Sequence, residues 1–107
     1  MSISEVGVAD LERALVEGAR LVDVRELDEY LDGHVPGAVH VALGTVPQHV
    51  GAFQGAGTTY VICKVGGRSL RACEFLAQQG IHTVNVAGGT LDWVAGGRPV
   101  VTGASPL

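Results

Sequence analysis

Short apolar runs alternate with amphipathic segments along the chain. The runs 20–24, 39–42, 58–63 and 83–86 are rich in β-branched residues, which is typical of buried strands. Between them, apolar residues recur at helical spacing, which predicts helices from Val8 to near Gly18 and over 26–31, 46–53, 69–79 and 91–95. Strands that alternate with helices predict an α/β fold with a mainly parallel sheet and helices on both faces.

The length and composition indicate one globular domain over residues 1–107. Hydrophobic residues make up 47% and charged residues 17% of the 107 residues, and no repeat or linker interrupts them. We expect a short lead at 3–6 and a frayed tail at 101–107. No apolar run reaches the ~18 residues of a membrane span, and the polar start MSISE is not typical of a signal peptide. Two cysteines fit a reducing cytoplasm, which is the predicted location.

The charge distribution disfavours nucleic acid as a partner. The net charge is −4, and nine of the eleven acidic residues lie at or before Asp32, with no basic stripe along the chain. Lys64, Arg68 and Arg71 supply three of the seven basic residues within a short stretch. Such a local cationic spot favours a small anion as ligand, although two solvated helix faces of opposite sign would give the same pattern.

The stretch YVICKVGGRSLRACEFL, residues 60–76, carries the candidate chemistry. Cys63 ends a predicted strand, and a Gly-rich loop leads from it into a helix whose first amides lack internal partners. Glycines let successive N–H groups point inward and form an anion-binding nest. Amide dipoles, a helix N-terminus and two cations would all favour the thiolate, which is the nucleophilic form.

Other readings of this stretch remain open or are disfavoured. The loop lacks the spacing and the lysine of a Walker A motif. The two cysteines and four histidines show no paired ligand spacing, so we predict no metal. The residues alone do not decide between a reactive Cys63 and a structural cysteine.

Three segments together resemble the rhodanese-like sulfurtransferase family, nearly from end to end. The amino-proximal segment reads LVDVR at 21–25, then Glu29-Tyr30 and GHVPGA at 33–38. The loop CKVGGRS at 63–69 resembles the active-site loop of the family. The carboxy-proximal segment reads VAGG at 86–89, then Trp93 and GGRPV at 96–100.

The resemblance implies a five-stranded parallel sheet and a persulfide on the loop cysteine. Carried to this chain, Cys63 is the nucleophile and the substrate is held by Lys64, Val65, Gly66, Gly67, Arg68 and Ser69. Residues 64–68 would form the cradle, and Ser69 would close it onto the helix. Many single-domain members of the family have arginine and then a small polar residue after the cysteine, where this chain has Lys64 and Val65. Lysine keeps the positive charge of arginine but cannot make the paired hydrogen bonds that a guanidinium makes to an anion.

The expected function is therefore sulfur transfer from thiosulfate, a small anionic donor, to cyanide or a thiol, including a thiol on a protein. Lys64 and Arg68 would hold the sulfonate end, and no metal or organic cofactor is required. One alternative is a cysteine phosphatase or arsenate reductase, although the six residues from Cys63 to Arg68 form a loop one residue shorter than in phosphatases. The other alternative is a persulfide carrier that turns over slowly alone.

Several other residues are predicted to be structural. Asp23 and Arg25 are expected to pair at a strand end, and His34 to fix a turn through hydrogen bonds. Trp93 is expected in the core, and Cys73 lies on the apolar stripe of its helix, which favours a buried thiol.

Overall fold

The computed structural model describes residues 2–107 and has five strands, four α-helices and two 3-10 helices. The strands are β1 (Ser4–Val6), β2 (Arg20–Asp23), β3 (Val39–His40), β4 (Thr59–Ile62) and β5 (Val84–Val86). The α-helices are α1 (Val8–Val16), α2 (Leu27–Asp32), α3 (Gly67–Gln78) and α4 (Gly89–Ala95), and the 3-10 helices span Leu43–Gln48 and Val50–Phe53.

The sheet is parallel throughout, with strand order β1-β5-β4-β2-β3, which confirms the predicted α/β class and five-stranded sheet. β4 occupies the centre, where Val61 pairs with Val22 of β2 on one side and with Asn85 of β5 on the other. The lead at 3–6 is the edge strand β1, in register with β5. The carboxyl end of the central strand is therefore flanked by loops from both neighbours.

Helices cover both faces of the sheet because alternate strand residues point to opposite sides. Val22 and Val61 pack with the apolar side of α3, which includes Cys73 and Leu76. Leu21 and Ile62 lie on the other face, in a core cluster with Leu11, Tyr30, Val35, Ala38, Val86 and Trp93. The predicted core positions of Cys73 and Trp93 are confirmed, with exposed fractions of 0% and 4%.

The region predicted as a helix over 46–53 is two successive 3-10 helices. Pro47 lies inside the first, and a proline lacks the amide hydrogen that an α-helix would use there. His49 separates the two with a non-helical backbone. Tight 3-10 turns are frequent in connecting segments such as this one between β3 and β4.

The predicted structural polar residues lie where expected. The Arg25 guanidinium donates to Asp23 Oδ1 at 3.0 Å, to Asp23 Oδ2 at 2.7 Å and to the Gly33 carbonyl at 2.8 Å. His34 is fully buried, with Nδ1 2.8 Å from the Tyr30 carbonyl oxygen and Nε2 2.8 Å from that of Ser105. Both groups brace the turn that follows α2.

The tail at 101–107 differs from the expectation of fraying. The amide of Val101 donates to the His34 carbonyl at 2.9 Å, and the His34 amide donates back to Val101 at the same distance. The Gly37 amide donates to the Pro106 carbonyl at 2.8 Å, farther along the same turn. The tail is held because its carbonyls accept hydrogen bonds from the backbone amides of the turn after α2.

Across residues 2–107, none of the helices combines the length and the apolar character needed to cross a bilayer.

Candidate active site

Cys63 lies at the carboxyl end of β4, the position where open parallel sheets bind ligands. The next residues form the cradle loop (residues 64–68), and α3 begins inside it, at Gly67. Gly66 caps the helix with φ of +111°, a left-handed conformation that glycine adopts without the strain of a side chain. The early helix start turns the free amides of the first turn toward the cysteine.

Two donors contact the cysteine sulfur directly. The Gly66 amide donates to Cys63 Sγ at 3.1 Å, and the Ser69 hydroxyl donates to it at 3.3 Å. Ser69 is fully buried and Cys63 is 1% exposed, so solvent does not compete for these hydrogen bonds. The sulfur sits in a closed pocket of donors, which is the arrangement that an anion requires.

These contacts shift the titration of the thiol. Burial raises the pKa of Cys63, but hydrogen bonds from the Ser69 hydroxyl and from the amides of Ser69, Gly66 and Val65 outweigh it, and the pKa falls below its ordinary value. Cys73 is the opposite case, since burial raises its pKa to about 11. The two thiols of the chain thus differ: hydrogen bonds lower the pKa of Cys63, whereas burial raises the pKa of Cys73 in the core.

Arg68 does not present a free cation. Its guanidinium donates to both carboxylate oxygens of Glu29 at 2.7 and 2.9 Å. Glu29 is placed by the start of α2, where it accepts the Glu26 amide at 3.1 Å in a capping box. The hydrogen bond from Arg68 lowers the pKa of Glu29 to about 2, and the hydrogen bond from Glu29 raises the pKa of Arg68. Arg68 therefore ties the cradle loop to α2, and its guanidinium is paired with Glu29 in this structure.

Lys64 and Val65 lie at the outer edge of the cradle loop. Both are exposed, and the Val65 side chain retains 57% of its accessible surface. Among the described residues, Lys64 takes part in no ion pair. Of the two predicted cations of the site, Lys64 is the one available to an incoming anion.

The start of α4 closes the site from the side. The amide and the hydroxyl of Thr90 both donate to the Cys63 carbonyl at 2.9 Å, and the Leu91 amide donates to the Lys64 carbonyl at 3.0 Å. A side chain on Gly89 would lie 2.6 Å from the Cys63 carbonyl oxygen and 2.5 Å from that of Lys64, so only glycine permits this approach. The sequence indicated this region through the two glycines at 88–89. It did not predict Thr90 as part of the site.

A cavity of about 360 Å³ adjoins the cradle loop. Lys64 and Thr90 form its wall on the side of the cysteine, and Leu91, Val94 and Val100 form an apolar wall. The lining is completed by Arg25, Glu29, Asp32 and Gly33. A volume of this size is at the small end of ligand pockets, which suits a small anion or a small thiol.

A buried cysteine surrounded by hydrogen-bond donors, at the end of a central parallel strand and before the N-terminus of a helix, places this chain among α/β proteins with a cysteine loop. Within that class the chain belongs to the rhodanese-like domain family, whose model matches residues 8–96. The predicted resemblance is confirmed. Sulfurtransferases are among the relatives of this chain.

Three comparisons illustrate the similarity. YtwF of Bacillus subtilis, named provisionally as a sulfurtransferase, is 36% identical over 101 residues, which are 92% of this chain and 98% of that protein. The thiosulfate sulfurtransferase GlpE of Pseudomonas entomophila is 33% identical over 78 residues, 72% of each protein. The crystal structure of a rhodanese-related protein from Thermoplasma volcanium matches with a TM-score of 0.85 and 30% identity, covering 94% of this chain and 99% of that one.

Proposed function

We propose that the protein transfers sulfane sulfur from thiosulfate to a thiophilic acceptor through a persulfide on Cys63. The observation that carries the proposal is the pair of hydrogen bonds from the Gly66 amide and the Ser69 hydroxyl to Cys63 Sγ. They favour the thiolate that attacks, and the same donors would favour the persulfide anion that results. GlpE, whose name states thiosulfate as the substrate, supports the choice of donor.

In the first half-reaction the Cys63 thiolate attacks the outer sulfur of thiosulfate. A bond forms between the two sulfurs, and the bond between the sulfane sulfur and the sulfonate sulfur breaks. Sulfite leaves as the dianion with the electron pair of that bond, and the negative charge of the thiolate passes to the terminal sulfur of the persulfide. Lys64, the exposed cation at the mouth, is proposed to hold the sulfonate end, while Arg68 acts through its tie to Glu29.

In the second half-reaction the acceptor removes the outer sulfur. Cyanide forms a bond to that sulfur, thiocyanate leaves, and the thiolate of Cys63 returns; a thiolate acceptor would become a persulfide in the same way. The covalent intermediate separates the two halves, so we expect ping-pong kinetics. The cavity beside Lys64 and Thr90 offers the route by which the acceptor would approach.

The test is the intact mass of the protein before and after thiosulfate, with and without cyanide. We expect the wild type to gain one sulfur and to lose it to cyanide, and Cys63→Ser to gain none. Cys73→Ser is the matched control, since that thiol is fully buried in the core and should leave loading intact. No mass gain in a folded wild type would refute the proposal.

A persulfide carrier is the second candidate, and the burial of Cys63, 1% exposed, favours it because a sheltered persulfide survives longer. The same mass experiment distinguishes the two functions. Rapid loss of the added sulfur to cyanide with steady thiocyanate production indicates an enzyme. A loaded protein that releases its sulfur only slowly to small acceptors indicates a carrier.

A further inference from the structure

Asn85 lies on β5, directly beside the central strand and behind the cradle loop. Its backbone is in register with Val61 of β4 and Glu5 of β1, and its side chain is fully buried. The side-chain amide Nδ2 donates to the Gly66 carbonyl at 3.1 Å and to the Glu5 carboxylate at 2.7 Å. A single amide group thus connects the edge strand to the glycine that donates to the cysteine sulfur.

The orientation of this amide is fixed by its surroundings. Turning the group over would place Oδ1 against the Gly66 carbonyl and the Glu5 carboxylate, which are both acceptors. In the orientation observed, Oδ1 is buried and has no hydrogen-bond partner among residues 2–107. An unpartnered buried acceptor destabilises a fold, so this asparagine is poorly explained as a core residue alone.

The hydrogen bond from Asn85 Nδ2 to the Gly66 carbonyl is called the tether below. The Gly66 carbonyl accepts the Leu70 amide at 3.1 Å, the first hydrogen bond of α3, as well as the Asn85 side chain. Gly66 and Gly67 are free of the side-chain restraints that would otherwise limit the rotation of their peptide groups. Fixing the carbonyl of Gly66 restrains the peptide plane between Gly66 and Gly67. The Gly66 amide that meets Cys63 Sγ belongs to the preceding peptide plane, and the two planes share the Gly66 Cα. Holding one plane therefore limits the rotation at Gly66 that would turn the other plane away from the sulfur.

We infer that Asn85 is a positioning residue for the cradle loop, held in place by Glu5, and that it keeps the Gly66 amide aimed at the sulfur of Cys63. The inference concerns the reactive thiol, and its bearing on sulfur transfer rests on the proposed function. Asn85 would act through Gly66, without touching a substrate. The edge strand β1 thereby takes part in setting the site.

The test compares Asn85→Leu and the smaller Asn85→Ser with Thr83→Val. Thr83 is also buried beside β5 and makes no hydrogen bond to the cradle loop, so it controls for general damage to this region. The readout is the midpoint of the Cys63 thiolate titration, followed by ultraviolet absorbance in the absence of any sulfur donor. We expect a rise of about half to one pH unit in both Asn85 variants, as weakening one hydrogen bond to a thiolate predicts, and none in Thr83→Val.

Glu5→Leu supplies a second variant that should fold, because Glu5 is exposed. Removing a negative charge would by itself lower the thiol midpoint, whereas loss of the tether raises it, so a rise identifies the tether. A folded Asn85→Ser with a wild-type midpoint would overturn the inference, and a fall in Glu5→Leu would overturn the role of Glu5. Because the titration needs no donor, these results stand apart from the loading experiment that tests sulfur transfer.

Discussion

Replacing Ser69 by alanine should raise the pKa of the Cys63 thiol by about 1 to 2 units. The Ser69 hydroxyl donates to Cys63 Sγ at 3.3 Å, and it is fully buried, so water cannot replace it. A hydrogen bond to a charged group contributes about 1.5–3 kcal/mol, and each pKa unit corresponds to about 1.4 kcal/mol. The Gly66 amide remains in the variant, and part of the shift present in the wild type remains with it.

Thr90→Val is the matched control. Its hydroxyl also belongs to a buried residue and also contacts Cys63, but at the backbone carbonyl, where the Thr90 amide donates as well. Removing it should leave the thiol pKa unchanged. Both variants are titrated by ultraviolet absorbance of the thiolate, and Cys73 does not interfere because burial raises its pKa to about 11.

The loading rate gives a second, independent comparison. At a pH below the thiol pKa of both proteins, the thiolate fraction of Cys63 is about ten- to a hundredfold smaller in Ser69→Ala than in the wild type. The more basic thiolate of the variant is about three- to tenfold more nucleophilic. Loading by thiosulfate should therefore slow about three- to tenfold at low pH, and the difference should vanish or reverse at high pH. An unchanged pKa in a folded Ser69→Ala, or an equal shift in Thr90→Val, would refute this account of the thiolate.

Three further outcomes are expected. Lys64→Gln should raise KM for thiosulfate or lower kcat/KM by about ten- to a hundredfold, with little change in Tm. Neutralising the exposed Arg71 should leave the kinetic constants and Tm unchanged. Equal kinetic effects of the two variants would show that the Lys64 cation is merely solvated. The pKa of Glu29 is lowered from 4.5 to about 2, so its ion pair with Arg68 stabilises the fold above pH 4.5 and this stabilisation is lost as the pH falls toward 2. Glu29→Gln should therefore remove that part of the acid dependence of Tm. A variant whose Tm depends on pH in the same way as the wild type would contradict this account. The wild type should hydrolyse aryl phosphate poorly, and inserting one glycine after Gly66 should weaken sulfur transfer; efficient phosphatase turnover without a persulfide would contradict the loop-size argument.

The pattern of apolar runs predicted most strands of the sheet, and the loop sequence predicted the position of the cradle loop. The apolar runs placed β2, β4 and β5, and the position of Cys63 between a strand and a Gly-rich loop indicated the cradle. These features are local, so a linear pattern can contain them. The helix was predicted to begin at Ser69, but α3 begins at Gly67. The difference arises because glycine has a low helix propensity, whereas here Gly66 in a left-handed conformation caps the helix.

Contacts between distant segments could not be predicted in the same way. Arg68 belongs to the same loop as the cysteine, but its partner Glu29 lies 39 positions away in the sequence. The pairing of the two charges depends on the packing of α2, which the local sequence does not reveal. Thr90 reaches Cys63 across 27 positions, and the Asn85 amide reaches Gly66 across 19. The contacts of the tail with the turn after α2 likewise join residues that are far apart in the sequence, such as His34 and Val101.

The central place of β4 has a consequence for the nascent chain. Cys63 is made well before β5 and α4, which contribute the Asn85 and Thr90 contacts to its loop. A chain that stops short of β5 keeps Gly66 and Ser69 but lacks both of these supports for their loop, so its thiol pKa should lie above that of the complete protein. The full lowering of the thiol pKa is thus expected only when the segment from β5 onward has docked. The rate of thiol alkylation at mildly acidic pH would then report completion of folding, both on the ribosome and in refolding experiments.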